Sequence, residues 1–116
     1  MNSNKYRILL VGYMVVILLV SSIPGHSLPN LKVLSWDKLL HFLEYSVLGF
    51  LLMKNVNPFK FRLVIVVILA GFVFAGIDEF WQSFIPGRTS SIYDAIADGM
   101  GIITGSVISV FRTLKK

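Results

Sequence analysis

No cysteine occurs anywhere in the 116 residues, which excludes disulfides, thiolate metal sites and cysteine nucleophiles. Charge is scarce as well: Asp, Glu, Lys and Arg make up 15% of the chain, where a soluble domain carries roughly 25%. No HExxH or GxSxG motif is present, so the metalloprotease helix and the serine nucleophile elbow are excluded. What fills the chain instead is apolar, at 55% of residues, with a mean hydropathy of +0.76. A domain this small leaves much of its surface uncovered, so that excess cannot be hidden in a core. A water-soluble monomer is excluded, and the length allows one domain over residues 1–116.

The apolar residues fall into four runs: Tyr6 to Ile23, Leu39 to Met53, Leu63 to Trp81 and Ala95 to Phe111. With flanks they give spans at about 6–23, 38–54, 62–82 and 94–111, each near the roughly 20 residues that a helix needs to cross hydrocarbon. Helix is the expected form, because a membrane segment has to satisfy its own backbone groups. The first run also resembles a secretory leader, with Lys5 and Arg7 as its basic region. Its cleavage site is poor, since Ser21-Ser22-Ile23 runs into Pro24-Gly25. Retention as a span is therefore expected. The fold class is an all-α membrane protein with four transmembrane helices in a compact bundle.

Eight of the eleven lysines and arginines lie at the start of the first run, between the second and third, or after the fourth. Only Lys32, Lys38 and Arg88 lie on the other side. The positive-inside rule then puts both termini in the cytoplasm. Topology thus accounts for the basic balance, and no nucleic-acid partner is needed. Trp36, Trp81 and Tyr93 mark the outer interface, and Tyr6 the inner one.

Acids number only six, and all of them, Asp37, Glu44, Asp78, Glu79, Asp94 and Asp98, fall on the outer side, as do His26 and His41. Helical rise places Glu44 about 10 Å beyond Asp37 and Asp98 about 6 Å beyond Asp94. Carboxylates at that depth are costly against lipid and should point into the bundle. The spacing agrees: Asp37, His41, Glu44 and Leu48 form one stripe of the second span. Gly71, Ala75, Asp78, Glu79 and Gln82 share a face of the third, and Asp94, Asp98, Gly101 and Gly105 one of the fourth. Small residues below and acids above describe tight packing that opens outward into a polar pocket.

Plainer roles stand beside this. Asp37 and Asp94 suit helix capping, with Ser91 to Asp94 as a capping box. Lys38 suits interfacial snorkelling, and Pro86-Gly87 suits a turn. Glu44, Asp78, Glu79 and Asp98 fit such roles less well, being several acids inside apolar segments.

Three spaced blocks carry a resemblance. Asp37-Lys38-x-x-His41-Phe42-x-x-Tyr45-x-x-Leu48-Gly49 is followed by Asp78-Glu79-x-x-Gln82-x-Phe84-x-Pro86-Gly87-Arg88, and then by Asp94-x-x-x-Asp98-x-x-Gly101-x-x-x-Gly105. In order and spacing this is similar to the VanZ-like family of bacterial membrane proteins, over about residues 8–111. The resemblance implies a multi-pass protein of the bacterial plasma membrane. Its family takes its name from a protein linked to resistance against teicoplanin-type glycopeptide antibiotics. The motif positions carried over are Asp37, Lys38, His41, Asp78, Glu79, Gln82, Arg88, Asp94 and Asp98.

Three readings remain open at this stage. One is action at the outer leaflet on a cell-envelope component, a lipid-linked cell-wall precursor or a glycopeptide, with Arg88 gripping phosphate or carboxylate. A second is a membrane-embedded enzyme. In it His41, Glu44, Asp78 and Glu79 hold a divalent cation of Mg²⁺ or Mn²⁺ type, or His41 acts as general base beside Asp78 and Glu79. The third is a purely structural polar network. His41, Asp78, Glu79, Gln82 and Arg88 are the expected centre of the site in any of them.

Overall fold

Each apolar run is helical in the computed structural model, which describes residues 3–23, 34–57, 59–86 and 92–115. The helices are α1 (Ser3–Ser21), α2 (Leu34–Met53), α3 (Phe61–Gln82) and α4 (Ile92–Leu114). Their ends follow local chemistry. At the end of α1 the Ser22 hydroxyl donates to the Leu18 carbonyl at 2.8 Å, and Pro24-Gly25 follows in the sequence, where a helix cannot readily continue. α3 closes on Ser83, whose backbone N–H reaches the carbonyls of Glu79 and Phe80, while the Phe84 N–H reaches that of Trp81. α4 has Asp94 in its first turn and Arg112 in its last, the order of charge that the helix dipole favours.

Three of these helices, α1, α3 and α4, are long and apolar enough to cross a membrane. α2 is the exception, because any 18-residue stretch of it includes Asp37, Lys38 and Glu44. Like α3, it touches all three other helices.

α2 and α4 form the spine of the bundle. They run parallel along their length: Lys38 meets Asp94, His41 meets Asp98, and Lys54 meets Thr113. Small residues allow the approach. A Cβ on Gly101 would collide with the Phe42 carbonyl and stand 2.9 Å from the Ser46 backbone nitrogen. One on Gly105 would overlap the Ser46 carbonyl, and one on Gly49 would meet the Ile102 backbone. These contacts are the close backbone packing that small-xxx-small patterns permit in membranes, where lipid gives helices little apolar reason to associate. α3 packs on α4 and α2, while α1 packs on α2 and α3.

The polarity of this bundle is inverted. Ile8, Val66, Ile77, Phe80 and Phe111 are exposed, whereas Asp78, Asp94, Asp98, Gln82, Ser21, Ser106 and Ser109 are buried. An apolar exterior of this kind matches a lipid environment. Its apolar core is small: Ile17, Tyr45, Leu48, Ala75 and Ile102. The two ends also differ. At the end where α1 begins and α4 stops, Asn55 Nδ2 donates to the Tyr6 carbonyl at 3.3 Å and Lys54 lies over the Tyr6 ring. The opposite end gathers the acids.

Candidate functional site

Four helix ends converge on that acidic end: the last turn of α1, the first turns of α2 and α4, and the last turns of α3. Lys38 opens the site from α2 in an ion pair with Asp94 of α4, which is 2% exposed. One turn deeper, His41 Nδ1 lies 2.8 Å from Asp98 Oδ1 and 3.7 Å from Glu79 Oε1. Its other ring nitrogen, Nε2, faces Asp94 Oδ2 at 4.0 Å. One imidazole is therefore placed among three carboxylates from two helices. His41 and Glu79 each keep about a tenth of the side chain exposed, 12% and 10%, while Asp98 is fully enclosed.

A second cluster adjoins the first on the side of α1. Ser21 donates to Asp78 Oδ1, Tyr45 Oη donates to Asp78 Oδ2 at 2.6 Å, and Gln82 Nε2 donates to Ser21 Oγ at 3.0 Å. Both oxygens of Asp78 are thereby satisfied. Trp81 Nε1 adds a bond to Ser22 Oγ at 2.8 Å. This group ties α1, α2 and α3 together, and every carboxylate oxygen in it has a donor.

The first cluster is unfinished by comparison. Among the described residues no N–H or hydroxyl donates to Glu79 Oε1, Glu79 Oε2 or Asp98 Oδ2, all three buried, and the two carboxyl groups lie within hydrogen-bond reach of each other. Burying a carboxylate oxygen without a donor is costly, and a network built only to hold helices together gains nothing from leaving three such oxygens unmatched.

Among the residues expected from sequence, Lys38, His41, Glu79, Asp94 and Asp98 meet in the first cluster, and Asp78 and Gln82 in the second. Glu44 does not join either. It is half-buried on the α1 side of α2, where its carbonyl accepts from Tyr13 Oη at 2.6 Å. The inward stripe of α2 runs through His41, Tyr45 and Leu48, because position i+4 leans toward α3 and α4 where i+3 leans toward α1. Among the described residues, the His, Glu and Asp side chains that come close enough for a shared cation are accordingly His41, Glu79 and Asp98, not His41, Glu44, Asp78 and Glu79. Arg88 and the side chain of Asp37 fall outside the described residues. Sequence reasoning did not select Ser21 or Tyr45. Tyr45 stands in the first motif block, but Ser21 carries no signal apart from being a polar residue ending an apolar run.

A four-helix protein with an apolar exterior and acids gathered inside one end belongs to the class of membrane-embedded helical bundles. A family model described as VanZ/LLP1 matches residues 4–113. The chain belongs to that family, across nearly its whole length. No curated protein and no solved structure matches it.

Proposed function

We propose that the protein acts at the outer leaflet of the bacterial plasma membrane, where its acidic end binds the polar headgroup of a cell-envelope molecule. Both termini and the loop between α2 and α3 face the cytoplasm in this reading, since eight of the eleven basic residues lie there. The observation that carries it is the carboxylate of Glu79 beside His41, to which no N–H or hydroxyl of the described residues donates, at the end of the bundle away from those bases. A buried group left unsatisfied calls for an explanation, and a bound ligand is one that also accounts for its place at the membrane surface. A lipid-linked cell-wall precursor offers sugar hydroxyls and amides as donors at this depth, and a teicoplanin-type glycopeptide offers hydroxyls, amides and an ammonium there.

The experiment is binding of a lipid-linked wall precursor, and separately of teicoplanin, to the protein in lipid nanodiscs. Binding that Glu79→Gln weakens supports the proposal. If neither ligand binds, and deletion of the protein leaves sensitivity to envelope-directed drugs unchanged, the proposal fails.

The 2.8 Å contact between His41 and Asp98 favours a second reading, in which the same site is catalytic. An imidazole oriented by a buried carboxylate is the arrangement of a general base. Turnover of a phosphate-bearing precursor that His41→Gln abolishes would decide for it, and binding without turnover would decide against it.

A further inference from the structure

The three oxygens without an N–H or hydroxyl donor among the described residues, two on Glu79 and one on Asp98, stand beside an imidazole nitrogen in a buried space. We propose that His41 Nδ1, Glu79 and Asp98 bind a divalent cation, held from α2, α3 and α4. This inference rests on the reading of the acidic end as a ligand site, and it names what that site takes first.

Geometry is the first support. One ligand atom from each of the three residues lies within 4.8 Å of the other two. Donors bound to one ion at about 2.0–2.2 Å stand about 3–3.5 Å apart. The separations of Nδ1 from Asp98 and Glu79, 2.8 and 3.7 Å, bracket that span. The three donors are therefore already close to the spacing that one shared ion requires.

Burial is the second. Glu79 is 8% exposed and Asp98 is not exposed at all. Two carboxylates this close and this enclosed repel each other and lack water. Two carboxylates and a neutral imidazole around a divalent ion sum to zero charge, the state that a buried site tolerates best.

The third is the tautomer. A ligating histidine presents one nitrogen to the metal and commonly donates the other N–H to a carboxylate, which fixes the ring. With Nδ1 on the cation, the proton resides on Nε2, and Nε2 faces Asp94. Lys38 in turn holds Asp94. Asp94 would position the ring once the 4.0 Å separation from Nε2 closes to hydrogen-bond length. Mixed oxygen and imidazole donors suit a first-row cation such as Mn²⁺ better than the all-oxygen preference of Ca²⁺ or Mg²⁺. A cation here would also let an acidic site accept a phosphate-bearing headgroup that its carboxylates alone repel.

The test uses the full chain in nanodiscs of zwitterionic lipid, with Mn²⁺ alone and no envelope ligand, so that cation binding and headgroup binding succeed or fail separately. One equivalent of Mn²⁺ is expected, with electron spin-echo spectra showing coupling to a single imidazole nitrogen. Glu79→Gln and Asp98→Asn should each weaken binding at least as much as Asp94→Asn, for which about 10–100-fold is expected. Ser109→Ala should leave it unchanged, since Ser109 lies about 16 Å further along α4 by helical rise. Absence of stoichiometric Mn²⁺, or bound Mn²⁺ without nitrogen coupling, overturns the proposal on wild-type protein alone. Folded Glu79→Gln and Asp98→Asn variants that bind as wild type does overturn it equally.

Discussion

Tyr45 of α2 donates its phenolic hydrogen to Asp78 Oδ2 of α3 at 2.6 Å, and neither residue is exposed. With Ser21 donating to the other oxygen, this carboxylate binds three helices without needing solvent. Asp78 is therefore a structural residue, although it neighbours Glu79 in the chain. Tyr45→Phe removes one donor from a buried carboxylate and is expected to destabilise the protein by about 1–3 kcal/mol. Ser21→Ala should fall in the same range. Equilibrium unfolding in detergent micelles measures both, and a neutral Tyr45→Phe would remove Asp78 from its structural role.

The parallel contact of α2 with α4 depends on missing side chains. Gly105→Ala places a methyl group against the Ser46 backbone, which cannot swing aside as a side chain would. The expected cost is about 1–3 kcal/mol or more, as for other overpacked interiors. Gly12, by contrast, has nothing within 4 Å of an added Cβ, and Gly12→Ala should be neutral or stabilising by up to about 1 kcal/mol. The same micelle unfolding assay compares the two, and equal effects would refute the close approach.

Lys38 and Asp94 are predicted to depend on each other. Either Lys38→Met or Asp94→Asn breaks this ion pair, and loss of one member of an enclosed pair costs about 3–5 kcal/mol. Lys38 is partly exposed, at 22%, so its loss should fall toward or below the lower limit. The double variant should be more stable than the two single effects sum to, by about 0.5–3 kcal/mol of coupling. Strict additivity in that double-mutant cycle would dismiss the pair.

Because the chain has no cysteine, a single introduced thiol reports its own position without background. Asn57→Cys, between α2 and α3, should resist a membrane-impermeant maleimide in intact cells and react after permeabilisation. Phe84→Cys, beyond α3, should react in intact cells. The reverse pattern would invert the orientation proposed for the bundle.

The inward faces of α3 and α4 were legible in the sequence because each is a single stripe. Asp78, Glu79 and Gln82 above Gly71 and Ala75, and Asp94 and Asp98 above Gly101 and Gly105, are buried as their spacing implies. α2 was harder to read. Its acid at Glu44 and its tyrosine at Tyr45 are adjacent, and both continue a stripe from His41. Only the positions of the neighbouring helices decide between them. Ser21 was illegible for another reason: its partner lies 57 residues away, and no local pattern encodes that meeting. The division of the acids into a satisfied group around Asp78 and an unsatisfied one around Glu79 is likewise tertiary. It depends on which donors α1 and α2 bring.

The charged beginning of α2 has a consequence for how the protein is made. During synthesis α2 emerges before α4, yet the Asp94 and Asp98 that engage Lys38 and His41 are on α4. Charged residues near the middle of a helix entering the bilayer alone cost about 2.5–3.5 kcal/mol each on insertion scales, and less toward an interface. α2 is therefore the segment least able to enter lipid unaided, and the last to be translated supplies what it lacks. The second helix is therefore expected to be completed by the fourth rather than to insert independently of it.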